Sequence, residues 1–397
     1  MTAHIDNSIT FFAKTNFRNR GKIFGIKQAD RRAHIYLLGR TGVGKSSLLE
    51  TFIHQDIASG QGLALFDPHG DLAERVLAAI PPERQQDLIY FNVPDGTRPL
   101  GFNPLECIPP DKRPLAASSL LEVFKKIWND SWGPRLEHIL RNAILALLEQ
   151  PESTLADVLH LLSDRVFRKE TMANVYNPQV REFWLQEYES YTPHFRIEAI
   201  APIQNKVGAF LANPLLNSIL TQPRSAFDVR RIMDEGKILL VNLAKGKIGE
   251  DTAALLGALL VSRIGMAALS RAEVPEEGRR DFFVYLDEFP TFTTLSLAGA
   301  LSELRKYRVG LILAHQYLTQ LDLEVRDAIL GNVGTIISFR IGVTDAEILE
   351  KEFYPEITAV DLINLPNHDI YLKLMIDGVV SRPFSATTLP PSPLPGL

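Results

Sequence analysis

A glycine-rich segment, GRTGVGKSS (Gly39–Ser47), limits the folds open to this chain more than any other feature. It fits the pattern G-x-x-x-x-G-K-[ST], which ends here on Gly44, Lys45 and Ser46. The strand-like run HIYLL precedes it and the apolar helical run SLLETFI follows it. Glycines let backbone N–H groups face phosphate oxygens, and the helix start adds positive charge. The segment therefore predicts a nucleotide site formed by Gly39, Arg40, Thr41, Gly42, Val43, Gly44, Lys45, Ser46 and Ser47.

Within this loop two side chains have distinct predicted roles. Lys45 reaches the phosphates, and the Ser46 hydroxyl ligates Mg²⁺. The alternative is an ordinary glycine-rich turn between a strand and a helix, but the flanking runs favour the nucleotide site.

Short runs of β-branched and aromatic residues alternate with helical patterns, which predicts a mainly parallel α/β sheet. The alternation stops between about Pro114 and Gln222, where helix follows helix, so we expect an all-α domain inserted into the α/β core. Near the end, Asp377-Gly378 lies between two extended runs, as is typical of a β-hairpin. The predicted strands are His34–Leu38, Gly62–Phe66, Leu88–Phe91, Lys237–Asn242, Phe282–Leu286, Gly310–Ala314 and Thr335–Ile341.

The expected division of the chain has five parts. It runs from a lead-in able to form a β-hairpin (1–27) through the first part of the core (28–113), the all-α domain (114–222) and the second part of the core (223–384) to an extended, proline-rich tail (385–397).

Composition narrows the class of protein. The net charge of −5 argues against nonspecific coating of nucleic acid but allows a basic site lining a groove or pore. The single cysteine, Cys107, excludes an intramolecular disulfide, and no Cys/His cluster has zinc-ligand spacing. The first residues lack the apolar core of a signal peptide, and the run TAALLGALLVSRIGMAAL is interrupted by Arg263, which favours a buried helix. We expect a cytoplasmic protein with no membrane span of its own.

Two adjacent acids, Asp287 and Glu288, end the apolar run FFVYL. An unpaired buried carboxylate is costly, and in P-loop proteins a second apolar strand ends in an Asp that holds Mg²⁺. We therefore expect Asp287 to bind the metal ion and Glu288 to activate the water that attacks the γ-phosphate. The alternative is a pair of acids capping an exposed strand end.

The nucleotide is expected to be ATP. The segment DPHG imitates the D-x-x-G of GTPases, but a guanine site also needs N-K-x-D, and Asn205-Lys206 is followed by Val-Gly. At the end of the strand GLILA, His315 and Gln316 are placed to face the nucleotide, with Gln316 as a γ-phosphate sensor or as a plain helix-start residue. Arg340, in or at the end of an apolar strand, is either a structural ion-pair partner or an arginine finger.

Taken together, the segments HIYLLGRTGVGKSSLLE, ALFDPHGDLAERVL, VYLDEFPTF, ILAHQYLTQL and GNVGTIISFRIGVTDAEIL resemble the HerA/FtsK-type ATPases. More narrowly, they resemble the cytoplasmic domain of type IV secretion coupling proteins, the conjugative DNA-transfer ATPases. The resemblance covers nearly the whole chain. It implies a RecA-like core with an all-α domain, a homo-hexameric ring around a channel, ATP bound between subunits, and DNA moved through the channel.

The resemblance also implies roles for single residues. Lys45 and Ser46 would bind phosphate and Mg²⁺, and Gln316 would be the sensor. Arg340 would act in trans on the ATP of a neighbouring subunit. Asp67 and Asp71 would line the site or the channel, although Asp71 equally suits a helix N-cap.

Membrane-tethered coupling proteins carry N-terminal spanning helices, whereas 38 residues without such a helix precede Gly39 here. We therefore expect either recruitment to the inner face of a membrane by an anchored secretion or conjugation partner, or work away from a membrane. DNA contacts are expected to the backbone and without sequence preference, with Lys245 and Lys247 in the loop AKGKIGE as candidates beside the alternative of a solvated turn.

The function expected from the sequence is a ring-forming, Mg²⁺-dependent ATPase that translocates DNA. Two other classes stay open: an assembly or secretion ATPase acting on protein, and a non-motor P-loop regulator.

Overall fold

The fold is that of a computed structural model, which describes residues 8–18, 21–106 and 108–391. Cys107 and the outer ends of the predicted lead-in and tail lie outside these residues. The chain forms two compact units. The first comprises Met1–Phe91, Val229–Gly246 and Ala267–Leu397, and the second comprises Asn92–Asp228 and Lys247–Met266. The helices predicted for residues 114–222 fall in the second unit, which extends beyond them on both sides.

The described residues contain thirteen strands. Strands β1–β7 are Ile9–Thr15, Ile23–Lys27, Ile35–Leu38, Gly62–Asp67, Leu88–Asn92, Ile238–Asn242 and Phe282–Asp287. Strands β8–β13 are Val309–His315, Thr335–Ser338, Asp369–Lys373, Met375–Ile376, Val379–Val380 and Phe384–Thr388.

The helices are short except for two. Helices α1–α9 are Gln28–Arg31, Lys45–Ala58, Asp71–Ala78, Arg113–Ile127, Pro134–Leu147, Asp157–Ser163, Arg165–Ala173, Pro178–Glu182 and Tyr188–Ser190. Helices α10–α18 are Pro193–Ala212, Pro214–Leu220, Val229–Glu235, Lys245–Ile248, Glu250–Ser270, Leu295–Leu304, Leu323–Asn332, Val343–Phe353 and Ala359–Ile363. A π-helical turn, Phe183–Glu187, joins α8 to α9.

Eleven of the described strands form one sheet in the order β2-β1-β13-β10-β9-β3-β8-β7-β4-β6-β5. From β9 to β6 the neighbours run parallel, so their carboxyl ends meet at one edge. β10 pairs antiparallel with β9, and β13, β1 and β2 continue antiparallel beyond it. The predicted α/β class is confirmed.

The core of the first unit follows from the sequence of its central strands. All four residues of β3 and all six of β4 are buried, which is why these strands are continuous apolar runs without a polar face. Helix α2 packs against β1 and β4 and contributes Leu48, Phe52 and Ile53 to the buried core. The ring of Phe52 stacks on that of Phe12 in β1, with centroids 5.2 Å apart.

A buried ionic group ties α1 and α2 to β7. The guanidinium of Arg31 donates to both carboxylate oxygens of Asp56, at 2.6 and 2.8 Å, and to the hydroxyl of Tyr285 at 2.7 Å. The Tyr285 hydroxyl in turn donates to Asp56. Arg31 and Asp56 are each 1% exposed, so each charge depends on the other for compensation.

Two helices of the second unit begin with a proline that follows a capping side chain. Proline occupies the first position of α10 and α11, where its missing N–H costs no hydrogen bond. The side chain of Thr192 caps α10 and that of Asn213 caps α11 by accepting from backbone N–H groups. Trp184 is fully buried and donates its indole N–H to the carbonyl of Asn142.

Two antiparallel strand pairs lie toward the two ends of the chain, one at the edge of the large sheet and one in a separate two-stranded sheet. β1 and β2 pair antiparallel within the lead-in. Asp377 and Gly378, at φ +53° and +79°, join β11 to β12, so the predicted hairpin is confirmed.

Three details differ from the sequence predictions. Residues 385–388, assigned to the tail, form part of β13 and pair with β10 and β1. β9 ends at Ser338, so Arg340 lies beyond the strand and not in it. The segment holding Lys245 and Lys247 is the single-turn helix α13 and not a loop. The sequence did not reveal α13, because a short helix and a glycine-containing turn have similar composition.

Candidate nucleotide-binding site

The loop between β3 and α2 has the geometry of a phosphate cradle. Gly42 and Gly44 adopt φ values of +78° and +118°, which favour glycine. Helix α2 begins at Lys45, so its free N–H groups point into the loop. The ammonium of Lys45 donates to the carbonyls of Gly39 and Arg40, at 2.5 and 3.0 Å. The strand predicted before the glycine-rich segment is β3, and the helix predicted after it is α2.

A cavity of about 240 Å³ lies over this loop. It brings together residues from the P-loop, from the ends of β4, β7 and β8, and from the start of β10. They are Thr41, Gly42, Gly44, Lys45, Ser46, Ser47, His69, Asp287, Glu288, Gln316 and His368. Sequence segments more than 300 residues apart thus meet at the carboxyl edge of the parallel strands, where open α/β sheets bind ligands.

Asp287, the last residue of β7, is 5% exposed. Burial raises its pKa to about 7, and the negative charges of Asp67 and Glu288 add to the rise, against the attraction of Lys45. Burial likewise lowers the pKa of Lys45, while Asp287 and Glu288 oppose that change. The site thus holds more negative charge than its one lysine neutralises, which favours a cation.

Glu288 is held away from Asp287 by its backbone. Its φ of +50° is a strained value for a residue with a side chain, and such strain persists where the surroundings enforce it. The carboxylate of Glu288 accepts from the Gln316 amide at 2.6 Å, and the Gln316 carbonyl accepts from the Thr41 hydroxyl at 2.9 Å. A chain of hydrogen bonds therefore links Glu288 to the tip of the phosphate loop.

The oxygen donors that border the cavity suit Mg²⁺. In the described part of the chain, no three residues among His, Cys, Asp and Glu are grouped to hold a metal ion. Mg²⁺ is commonly bound by one or two protein oxygens together with substrate phosphates and water. A buried carboxylate, Asp287, and a hydroxyl, Ser46, border the same cavity and match that requirement.

The P-loop residues predicted from the sequence divide into two groups. Those that border the cavity are Thr41, Gly42, Gly44, Lys45, Ser46 and Ser47. Gly39, Arg40 and Val43 do not border it: the first two position the ammonium of Lys45, and Val43 is fully buried.

His315 was expected beside Gln316 facing the nucleotide, and this is wrong. Its side chain is fully buried and bonded to the hydroxyl of Tyr36. Burial lowers its pKa to about 3, which keeps the imidazole neutral.

The alternative role of Asp71, as a helix N-cap, is wrong. The cap position is Gly70, and Asp71 is the first helical residue of α3. Asp67 stabilises this helix start instead, since its carboxylate accepts from the N–H groups of His69 and Ala73 at 2.8 and 2.9 Å.

Arg340 lies beside the phosphate loop of its own chain, since its carbonyl accepts from the Arg40 N–H. Its half-buried guanidinium donates to the Leu365 carbonyl at 3.2 Å and to the side chain of Asn367 at 2.9 Å. No carboxylate partner within the described ranges explains it as a structural ion pair. The role of Arg340 as an arginine finger in trans stays a prediction. In that role its guanidinium would have to break these two hydrogen bonds and bind the nucleotide of a neighbouring subunit.

Two residues of the cavity were not predicted from the sequence. His69 follows Asp67 in the segment DPHGD, which could have indicated it. His368 stands in an unremarkable loop before β10, and only the tertiary fold brings it to the phosphate loop.

One helical stretch, Glu250–Glu273, is long and apolar enough to cross a membrane. However, 67% of its most apolar window is buried inside the protein, as in the core helix of a soluble domain. This stretch contains the run TAALLGALLVSRIGMAAL, for which the sequence predicts a buried helix.

Three solved structures of similar fold are compared with the chain. Plasmid coupling protein TrwB in complex with the ATP analogue ADPNP is 17% identical in sequence to this chain. The match covers 90% of this chain and 85% of the TrwB chain, with a TM-score of 0.63. TrwB with ADP and Mg²⁺ is 17% identical, with 91% and 86% covered, also at 0.63. VirB4 of Thermoanaerobacter pseudethanolicus is 15% identical, with 97% of both chains covered, at 0.64. They confirm the RecA-like fold.

No curated protein sequence matches the chain significantly. The model of one protein family, described as the type IV secretion-system coupling protein DNA-binding domain, matches residues 19–351. The resemblance that the sequence motifs indicated is thereby confirmed. The chain belongs to the family of type IV secretion-system coupling protein DNA-binding domains.

Proposed function

We propose that this protein is a ring-forming ATPase that couples Mg²⁺-dependent ATP hydrolysis to the translocation of DNA. The observation that carries the proposal is the cavity over the phosphate loop, where Lys45, Asp287, Glu288 and Gln316 converge. Membership of the coupling-protein family supports DNA as the substrate that is moved. TrwB, which shares the fold, binds ADPNP and ADP with Mg²⁺.

In this proposal each side chain has a defined task. Lys45 and the N–H groups at the start of α2 bind the phosphates of ATP. Ser46 and Asp287 would hold Mg²⁺, which supplies charge neutralisation at the phosphates. Glu288 orients the attacking water and accepts its proton, and Gln316 holds Glu288 in position through the hydrogen bond between them.

The ring and the channel extend the proposal beyond one chain. Arg340 of a neighbouring subunit would complete the site and stabilise the charge that develops on the γ-phosphate. Lys245 and Lys247, in α13, would contact the DNA backbone, whose phosphates attract lysine without reading sequence. A homo-hexamer in the cytoplasm, recruited to the membrane by an anchored partner, is the assembly that fits these roles.

The test is ATP turnover measured at rising protein concentration, alone and with single- or double-stranded DNA. We expect turnover per chain to increase with concentration, because a site completed by a neighbour needs assembly, and to increase further with DNA. Turnover that responds to neither form of DNA would argue against translocation and favour a protein substrate. Turnover independent of concentration would favour a monomeric regulator.

Two variants serve as controls in the same assay. Lys45→Ala removes the phosphate contact and should abolish ATP binding. Glu288→Gln keeps the size of the side chain and should bind ATP while turning it over about 10²- to 10⁴-fold more slowly. Turnover that survives in Glu288→Gln would show that another group activates the water.

A further inference from the structure

The loop before β10 is fixed to the phosphate loop at several points. The N–H of His368 donates to the carbonyl of Val43 at 2.9 Å. Its own carbonyl accepts from the N–H of Thr388 in β13 at 2.8 Å. Residues 365 and 367 of the same loop receive the two hydrogen bonds from Arg340. His368 is therefore held in one place relative to the P-loop.

The backbone of His368 is strained at this point. Its φ of +67° lies in the left-handed region, which is unfavourable for most residues with a side chain and is usually occupied by Gly or Asn. Strained backbone conformations of this kind cluster at ligand-binding and active sites, where they orient a side chain toward the ligand.

The imidazole of His368 leans over Gly44. Its Nδ1 lies 2.8 Å from the position that a Cβ on Gly44 would take, so a larger residue there would collide with the ring. The side chain is exposed and borders the cavity. Neither ring nitrogen has a hydrogen-bond partner among residues 8–18, 21–106 and 108–391. The ring thus presents unpaired polar atoms to whatever occupies the cavity.

The order of the sheet places His368 and Glu288 on opposite sides of β3 and its phosphate loop. Glu288 and Gln316 follow β7 and β8, on one side of β3. His368 precedes β10, on the other side of β3, and β10 starts at the carboxyl edge because it runs antiparallel to β9. With the γ-phosphate beside Glu288, the opposite end of the cavity is left for the nucleoside.

We propose that His368 binds the nucleoside end of the nucleotide, with the imidazole contacting the ribose or the base. This inference rests on the proposed function, since it requires that a nucleotide occupy the cavity. An imidazole suits the task because it offers one donor and one acceptor nitrogen and a flat face for stacking. His368 is a binding residue in this account and takes no part in the attack on the γ-phosphate.

The test compares ligands with and without a nucleoside in His368→Ala. We expect the Kd of ATP and that of ADP to rise by the same factor, about 3- to 10-fold, the loss of one net hydrogen bond or stacking contact. Inorganic tripolyphosphate lacks the nucleoside, so its Kd should change by less than the Kd of ATP. Isothermal titration calorimetry on the full chain gives all three values.

Each other outcome overturns the inference. If the affinity for tripolyphosphate falls by the same factor as that for ATP, His368 only supports the phosphate loop. If the affinities for ATP and ADP do not change, His368 makes no contact with the nucleotide. His368→Asn, which tolerates positive φ, separates the loss of the ring from relaxation of the backbone. His194→Ala, an exposed histidine of the second unit, should leave all three Kd values unchanged. If the unaltered protein binds tripolyphosphate and ATP equally, the inference fails while the phosphate site stands; if it binds neither, the proposed function itself fails.

Discussion

At the scale of single residues, the two acids after β7 have unequal surroundings. Asp287 is buried beside two other carboxylates, whereas Glu288 is turned by its positive φ toward the amide of Gln316. Neighbouring carboxylates in unequal surroundings commonly have different roles, such as metal ligand and general base. The sequence motif named both residues, but it could not show that Gln316 and Thr41 connect Glu288 to the phosphate loop.

The raised pKa of Asp287 makes stability depend on pH. The carboxyl has a pKa of about 7 in the folded protein and about 3.9 in an unfolded chain. Between these values the folded state binds the extra proton, so folding becomes less favourable as pH rises toward 7. We expect Asp287→Asn without ligand to be more stable than the unaltered protein at pH 8, by more than about 1 kcal/mol, and the gap to shrink at pH 5.

Thermal unfolding at the two pH values measures this difference. Asp327→Asn is the matched control, because that side chain is 68% exposed and removing its charge relieves no burial. A gap that is the same at pH 5 and pH 8 would contradict the assigned burial cost of Asp287.

At the scale of elements, the attachment of α1 and α2 to the sheet depends on a buried charge pair. Asp56→Ala would leave the charge of Arg31 uncompensated in the interior, which typically costs about 3–5 kcal/mol. The exposed pair Arg231–Glu235 is the control, and Arg231→Ala should cost less than about 1 kcal/mol. Urea unfolding measures both. Equal losses in the two variants would show that water reaches Arg31.

The elements also show what the sequence could and could not reveal. The strands β3, β4, β7 and β8 were predictable because two buried faces demand uninterrupted apolar runs. The carboxyl end of β9 and the helix α13 were not predictable, because one or two residues decide them and the apolar pattern continues past Ser338. His368 was hidden for a different reason: its position depends on β10 lying beside β9, a pairing of distant segments that no local pattern encodes.

At the scale of the whole molecule, the proposed site is shared between subunits. Glu288→Gln and Arg340→Ala are each expected to lose turnover. If Arg340 acts in trans, mixing the two variants should restore sites that combine the intact Glu288 of one subunit with the intact Arg340 of its neighbour. Random mixing would make roughly a quarter of the sites complete.

ATP turnover of mixtures at constant total protein measures this restoration. Mixing Glu288→Gln with Lys45→Ala is the control, because each change disables the site of its own chain and no neighbour can complete it, so assembly alone should restore no activity. A mixture no more active than its separate components would place Arg340 in its own chain's site, where it already lies beside Arg40.

The position of β13 in the sheet has a consequence for how the chain acquires its structure. Within the described residues, β1 and β2 join the rest of the large sheet through β13, which follows all the other strands of that sheet in the chain. During synthesis β1 therefore has one edge unpaired until residue 388 has been made. Until then, the contact between Phe12 and Phe52 would let α2, the helix that begins at the phosphate loop, cover β1 and hinder its pairing with other chains.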